Sequence, residues 1–227
     1  MQIAIGDIHG CYRELQILLD QIGPGRDDQI IALGDMIDCG PESAEVVNFF
    51  CETPNADSVL GNHERKHYMV AKGLLSSHCF GPKQEVAKAQ FKRLDKKYDY
   101  GHYKKAIEFF GQLDLYKDLP SALLVHAGFE YRKPFDQQDE RVVTGADYIK
   151  MNKINPQTGL PFWCDSYPRD AKPIIFGHMN LQGNKPGFPK RDNLWPIDTS
   201  CVAGWYLTAV TLPDFKIYQI KRHGSLF

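Results

Sequence analysis

The 227-residue chain is poor in the features that mark most specialised protein classes. It has no run of about 18 apolar residues, the length needed for a membrane-spanning helix. Its formal net charge is only -1, so no global basic field draws it to nucleic acid, although a local basic patch stays possible. No Cys-x-x-Cys pair occurs: Cys11, Cys39, Cys51, Cys79, Cys164 and Cys201 are scattered, as in a cytosolic protein with reduced thiols. The first residues, Met1 to Asp7, show no basic stretch or cleavage signal and run straight into a strand pattern, so a cytoplasmic location is expected. There is no internal repeat and no low-complexity tract. Hydrophobic residues at 43% and charged residues at 24% are the proportions of a globular protein, and the length suits one well-buried core.

What is present is an alternation of short apolar runs with helical periodicity. Ile3 to Ile5 reads as a strand, and Leu15, Leu18, Leu19 and Ile22 mark one face of a helix that Gly23-Pro24-Gly25 stops. Ile30 to Leu33 and Ser58 to Leu60 read as further strands, with a helix after Pro41 between them. Such alternation predicts βαβ units and parallel strands. From about Arg65 to Asp118 the pattern is mostly helical, an insertion or cap carrying no motif. Its aromatic residues (Tyr68, Phe80, Phe91, Tyr98, Tyr100, Tyr103) are expected to pack a helical core rather than stack on a base. Sheet signals return at Ala122 to Val125 and Pro173 to Phe176, flanking an irregular polar stretch. Trp205 to Ile220 reads as two strands around a turn at Pro213-Asp214.

Five segments share one design, an apolar run followed by a small residue and metal-capable side chains. They are Gly6-Asp7-Ile8-His9-Gly10, Gly34-Asp35-Met36-Ile37-Asp38, Gly61-Asn62-His63-Glu64, Val125-His126-Ala127-Gly128 and Gly177-His178. Singly, each is an ordinary turn or a structural histidine. Together, each after a predicted strand, they place Asp and His at the carboxyl edge of a sheet, where open α/β folds bind ligands. Those residue types suit divalent ions such as Mn, Fe and Zn. His67, His78, His102 and His223 stand outside the pattern and are read as surface or core residues.

These motifs resemble the calcineurin-like metallophosphoesterase superfamily. Within it they are similar to the PPP branch, which includes phage-type Ser/Thr protein phosphatases and symmetrical diadenosine tetraphosphate hydrolases. The tail Ile197-Asp198-Thr199-Ser200-Cys201-Val202-Ala203-Gly204 with Leu207-Thr208-Ala209-Val210 resembles a signature of compact bacterial members. The resemblance implies an α/β fold of mixed sheets flanked by helices, an αββα sandwich, in one domain over residues 1–227. It implies two divalent metal ions, with Mn²⁺ ranked first and Fe, Zn or Mg as alternatives. Asp7, His9 and Asp35 would hold one ion, and Asp35, Asn62, His126 and His178 the other. Water shared by the two ions would attack phosphorus. His63 would protonate the leaving oxygen, oriented by Asp38.

The pattern departs from the family at Cys39, where a phosphate-gripping arginine is expected; a thiol cannot supply that planar fork. Arg65, Arg132, Arg141, Lys150 and Lys153 are candidate replacements, and no substrate-binding residue follows from spacing. An inert thiol is the preferred reading of Cys39 over a reactive one. The leading expectation is phosphomonoester hydrolysis on a phosphoprotein or small phosphorylated metabolite. Alternatives are hydrolysis of a nucleoside polyphosphate, removal of phosphate from nucleic-acid ends (Thr158-Gly159-Leu160-Pro161 and the tail are similar to RNA-repair phosphatase modules), and a metal-binding regulator without turnover. No membrane partner is expected, and oligomeric state is not readable.

Overall fold

In the computed structural model, which describes residues 1–98, 101–146, 153–181 and 191–223, two mixed sheets pack face to face. The chain runs β1 (Gln2–Ile5), α1 (Tyr12–Ile22), β2 (Gln29–Ala32), α2 (Ser43–Glu52), β3 (Ala56–Ser58) and α3 (Asn62–Ala71). Then come α4 (Pro82–Tyr98), α5 (His102–Phe110), β4 (Tyr116–Asp118), β5 (Leu123–Val125) and the short α6 (Glu140–Val143) and α7 (Phe162–Ser166). The described chain closes with β6 (Ile174–Phe176), β7 (Leu194–Pro196), β8 (Tyr206–Leu212) and β9 (Ile217–Lys221).

The first sheet has the order β3-β2-β1-β8-β9; β1, β2 and β3 are parallel, and β8 and β9 join antiparallel. The second has the order β4-β5-β6-β7, with β5, β6 and β7 parallel. Side-chain alternation explains why both faces of each sheet are covered. Ala4, Ile31, Leu124 and Ile175 point into the core between the sheets, joined by Val59, Ile197, Val210 and Leu212. Ile3, Ile5, Ile30 and Ala32 point the other way, against helices, in a core with Leu15, Leu18, Val46, Val47, Phe50 and Phe110. Leu123, Val125, Ile174 and Phe176 do the same for the second sheet, packing on Phe129, Val143 and Cys164. The result is the expected αββα layering.

Several elements depart from the sequence reading. β3 lies two residues earlier than predicted: Val59 N–H still donates to Ala32 O of β2, but Val59 also bridges to Asp114, and Leu60 N–H turns to Asp114 O. β4 lies inside the segment read as helical, and β7 was not predicted. Each is only three residues long and gains its identity from a partner strand rather than from a local pattern. The described residues of the polar stretch from Arg132 to Lys172 are largely irregular, with α6 and α7 as short helices. Predicted features at Tyr100 and Lys150 lie outside the described residues.

Helix α4 is fastened to the body of the fold. Phe91 is buried against Tyr103 of α5, and α4 also packs on α2. Replacing Phe91 with alanine should therefore cost ~3–5 kcal/mol of unfolding free energy, as for other buried aromatics. Urea unfolding measures this; a loss under ~1 kcal/mol would show that α4 is only loosely attached.

Candidate metal centre

The strands end where the five motifs begin, so one edge of the two sheets carries all of them. Asp7 and His9 follow β1; Asp35 and Asp38 follow β2; Asn62 and His63 open α3 beyond β3; His126 follows β5; and His178 follows β6. Parallel pairing of β1 with β2 and of β5 with β6 puts these ends side by side. Asp35 is where the two halves meet. Ligand atoms of Asp7, His9 and Asp35 lie within 4.8 Å of one another, and so do those of Asp35, His126 and His178. Asn62 Oδ1 stands 3.0 Å from His126 Nε2 and 3.1 Å from His178 Nδ1.

The backbone in these loops is bent into rare conformations. His9, Asp35, Asp38, Cys39, His178 and Ser200 all have positive φ, and Phe215 is the one other non-glycine residue that does so among those described. Each such residue costs ~1–3 kcal/mol and persists only where its surroundings fix it. The surroundings here are explicit. The Glu64 carboxylate, fully buried, accepts from the backbone N–H groups of Asp35 (2.9 Å), Met36 (2.8 Å) and Ile37 (3.2 Å). The Asp35 carbonyl accepts from the N–H groups of Ile8 and His9. Close approach also excludes side chains. A Cβ on Gly61 would lie 2.4 Å from Asp35 Oδ1, and one on Gly177 would lie 2.1 Å from Asp7 Oδ1.

The imidazoles are oriented by carbonyls. His9 Nδ1 donates to Ile37 O at 2.9 Å and His126 Nδ1 donates to Leu33 O, which fixes the tautomer and leaves each Nε2 lone pair facing Asp35. Burial disfavours their protonated forms: His9 and His178 are pushed down to about 4, and His126 is lowered too, with Asp35 opposing the shift in each. Neutral imidazoles are the form that binds metals. Three carboxyl groups around Asp35 show the opposite stress, whereas the burial of Asp35 itself is outweighed by the surrounding histidines, His126 first, which hold it well below the ordinary range. Burial and then Asp198 and Asp35 raise Asp7, while burial and Asp35 push Glu64 up to about 7 and burial leads in taking Asp198 to about 6. Neutral imidazoles, an amide oxygen and crowded carboxylates converging on one spot fit a pair of cations: the donor set is right for divalent ions, and among the described residues no lysine or arginine forms an ion pair with Asp7, Asp35, Glu64 or Asp198.

His63 stands apart from the ligand set in its bonding. Its Nδ1 donates to Asp38 Oδ2 at 2.7 Å, and its Nε2 lies 3.8 Å from Asp35 Oδ2 on the open side of the site. Burial opposes its charge, but Asp35 and Asp38 outweigh burial and push it up to about 9. Asp38 is completely buried and also accepts from His67 Nε2 at 3.0 Å and Gln84 Nε2 at 2.6 Å. Burial alone would raise its pKa; the two histidines more than compensate and hold it well below the ordinary carboxylate range. His67 in turn accepts from the Tyr103 hydroxyl at 2.9 Å.

All eight residues singled out from the sequence thus lie around one centre. Sequence reasoning missed Glu64, His67, Gln84 and Asp198 as parts of it. His67 had a signal, since it follows His63 by four residues and therefore shares its helix face. The segment from Arg65 to Asp118, expected to carry no motif, supplies both His67 and Gln84. Of the candidate substitutes, Arg65 is paired with Glu140, Arg132 and Lys153 are exposed on loops, and Arg141 is exposed on α6. The Cys39 thiol is half-buried and raised by burial, which matches the inert reading.

Residues 3–212 match the sequence profile of the family described as Calcineurin-like phosphoesterase, and the chain belongs to that family. It is a metal-dependent phosphoric ester hydrolase. The asymmetrical bis(5'-nucleosyl)-tetraphosphatase PrpE of Geobacillus thermodenitrificans is 31% identical, covering 95% of this chain and 92% of its own. A symmetrical bis(5'-nucleosyl)-tetraphosphatase of Methylobacillus flagellatus is 25% identical, covering 98% and 95%. Among solved structures, one whose own assignment as a diadenosine tetraphosphatase is provisional superposes with a TM-score of 0.72 at 23% identity, covering 99% of this chain and 94% of that one. A serine/threonine phosphatase of Saccharomyces cerevisiae gives 0.62 at 18% identity, covering 99% and 80%. These superpositions speak for the fold. Among the described residues no helix is long and apolar enough to cross a membrane.

Gly177→Ala should weaken metal binding at least ~10-fold, because its methyl group meets Asp7 Oδ1 and one displaced ligand is enough. Metal analysis after dialysis, with circular dichroism as the folding control, reads this directly. Retention of two ions at wild-type affinity would show that Asp7 is not a ligand.

Proposed function

We propose that this chain hydrolyses the phosphoric anhydride of a dinucleoside polyphosphate, using two divalent cations. The observation that carries the reading is the likeness to bis(5'-nucleosyl)-tetraphosphatases over nearly the whole of both chains. The order of the expectations is thereby reversed: hydrolysis of phosphomonoesters becomes the second reading. Residues 1–227 are taken as one domain with a mostly helical insertion at about 65–118 beside the sheets.

Asp7, His9 and Asp35 would hold the first cation; Asp35, Asn62, His126 and His178 would hold the second. The pair would lower the pKa of water and offset charge at phosphorus. The chain's own contribution is orientation. Asp35, with two carboxylate oxygens, serves both positions, which suits a shared ligand. Carbonyls of Leu33 and Ile37 aim His126 and His9. Asp38 holds His63 Nδ1 and stabilises its imidazolium, which leaves Nε2–H, 3.8 Å from Asp35 Oδ2, as the proton donor. His67 and Gln84 occupy the other acceptor sites of Asp38 and keep it in place.

One observation favours the second reading. A positioned proton donor is most valuable when the leaving group is a strong base. An alkoxide from a phosphomonoester is such a base, whereas the leaving phosphate of an anhydride has a pKa of about 6 and departs without help. The elaborate support of His63 is thus better explained by an ester substrate.

The deciding experiment offers the Mn²⁺-loaded protein diadenosine tetraphosphate, p-nitrophenyl phosphate, its diester analogue and a phosphopeptide. Preference for diadenosine tetraphosphate by kcat/KM supports the proposal; ATP with AMP, or two ADP, distinguishes asymmetrical from symmetrical cleavage. Preference for a monoester would overturn it. His63→Ala should keep its metals and lose ~10²–10⁴ in kcat on ester substrates, with a smaller loss on the anhydride. Loss of metal in that variant would sink the assignment of His63 as proton donor. Asp35→Asn should instead release both ions, measurable by metal analysis, because the amide removes the charge that both positions share.

A further inference from the structure

We propose that a cavity on the outer face of the second sheet binds a mononucleotide, its base stacked on Tyr131 and Phe135 and its phosphate paired with Arg132. The cavity has a volume of about 490 Å³, and its walls include Leu123, Phe129, Tyr131, Arg132, Phe135 and Tyr167. That size falls among small-molecule sites, which run from about 300 to 1,000 Å³. The cavity is distinct from the metal centre. Leu123 opens β5 and Lys172 stands just before β6, so it reaches the amino ends of strands whose carboxyl ends carry His126 and His178. None of the proposed metal ligands lines it.

The rings in its wall are open to solvent yet held in place. Tyr131 is 44% exposed and Phe135 40%, and large rings left so open, side by side, mark a binding surface. Phe135 is backed by Tyr116, with ring centroids 4.6 Å apart, and by Phe129 at 5.5 Å. Tyr131 meets Tyr167 edge to face at 5.3 Å. The turn that presents them is closed by Lys133 N–H, which donates to Glu130 O at 2.8 Å. Buried Gln138 clamps that turn: its Nε2 donates to the carbonyls of Glu130 and Lys133 at 3.0 Å each, and its Oε1 accepts from Glu130 N at 3.0 Å. The rings are therefore positioned before a ligand arrives, which lowers the cost of binding one.

Charge decides what the ligand carries besides a flat ring. The other charges at the cavity cancel in pairs, Lys133 with Glu130 at 2.8 Å and Lys172 with Asp118 at 2.6 Å. Arg132 is exposed in the same wall and makes no ion pair among the described residues. The result is an aromatic cavity with one uncommitted positive charge. Stacking on aromatic rings is open to every nucleobase, and a guanidinium takes a phosphate through two parallel hydrogen bonds. A purely apolar ligand would leave Arg132 unused, and an inorganic anion would leave the rings unused; a nucleotide engages both.

This site stands apart from the hydrolase reading, so binding is measured without turnover. Calorimetry with AMP is run on the full chain loaded with Mn²⁺ and again after chelation, with circular dichroism as the folding control. One binding event should survive chelation. Tyr131→Ala should weaken it roughly 10- to 100-fold, the worth of one stacked base, whereas Tyr131→Phe should stay within about twofold. Arg132→Glu should weaken it at least ~10-fold. Both losses should also appear in the Mn²⁺-loaded protein, whose fold does not depend on the chelation step. Adenosine lacks the phosphate and ribose 5-phosphate lacks the base, and each should bind more weakly than AMP. The proposal is overturned if wild type shows no saturable binding of AMP at millimolar concentration after chelation, if ribose 5-phosphate matches AMP, or if neither Tyr131→Ala nor Arg132→Glu alters the affinity. Self-association abolished by Tyr131→Ala would overturn it too, by showing the rings to be a contact between two copies of the chain.

Discussion

A single buried carboxylate, Glu64, organises the centre from behind. Three consecutive backbone N–H groups, those of Asp35, Met36 and Ile37, donate to it, and that clamp holds the loop after β2 in a shape it would not choose. Asp35 sits there at a φ of 48°. Its carbonyl receives the N–H groups of Ile8 and His9, so the first motif is hung on the second. The same loop offers the carbonyls of Leu33 and Ile37 to His126 and His9, so their ring orientations are set there as well. Its side chain accepts from His63 N, which ties in the start of α3. Remove the carboxylate and three N–H groups are left buried and unpaired, each costing ~1–3 kcal/mol. The residue beside the proposed proton donor thus supports the site without touching a reacting group.

Glu64 also shows why the centre calls for cations. It is buried and close to Asp35, which is why its pKa is pushed up to about 7. Asp7 and Asp198 are stressed in the same direction. A protein that gathers acids at such a cost gains from it only if positive charge is placed among them. Of the neighbouring imidazoles only His63 favours the charged form, and it is engaged by Asp38; burial disfavours charge on His9, His126 and His178. The raised carboxyls of Asp7, Glu64 and Asp198 and the lowered imidazoles of His9, His126 and His178 are two sides of one requirement, met by divalent ions that bind carboxylate and neutral imidazole together.

The parts of this arrangement that could be read from the chain are those encoded locally. A glycine and a ligand at a strand end form a pattern a few residues long, so Asp7, His9, Asp35, Asp38, Asn62, His63, His126 and His178 were visible, and parallel pairing brings them together. The hairpin of β8 and β9 announced itself by its turn, and α1 by its apolar face and the left-handed Gly23 that ends it. Strands β4 and β7 gave no such signal, being three residues long and dependent on neighbours. Gln84 lies 46 residues from Asp38, and no spacing rule predicts a hydrogen bond over that separation.

The insertion therefore has two attachments with different consequences. Through Phe91 and Tyr103 it packs on the body of the fold, which is a matter of stability. Through His67 and Gln84 it completes the hydrogen bonding of Asp38, which is a matter of chemistry. A carboxylate buried that deeply would be pushed towards neutrality if it lost those donors, and a neutral Asp38 would no longer favour a protonated His63. The proton-donating capacity proposed for His63 is thus a property of helices packed together rather than of the motif that carries it. Substitution in the distant face of α4 reaches His63 by the same route as substitution of Asp38 itself, only weakened by the slack in each intervening hydrogen bond. A helical segment with no motif of its own can therefore govern which leaving groups the centre is able to expel.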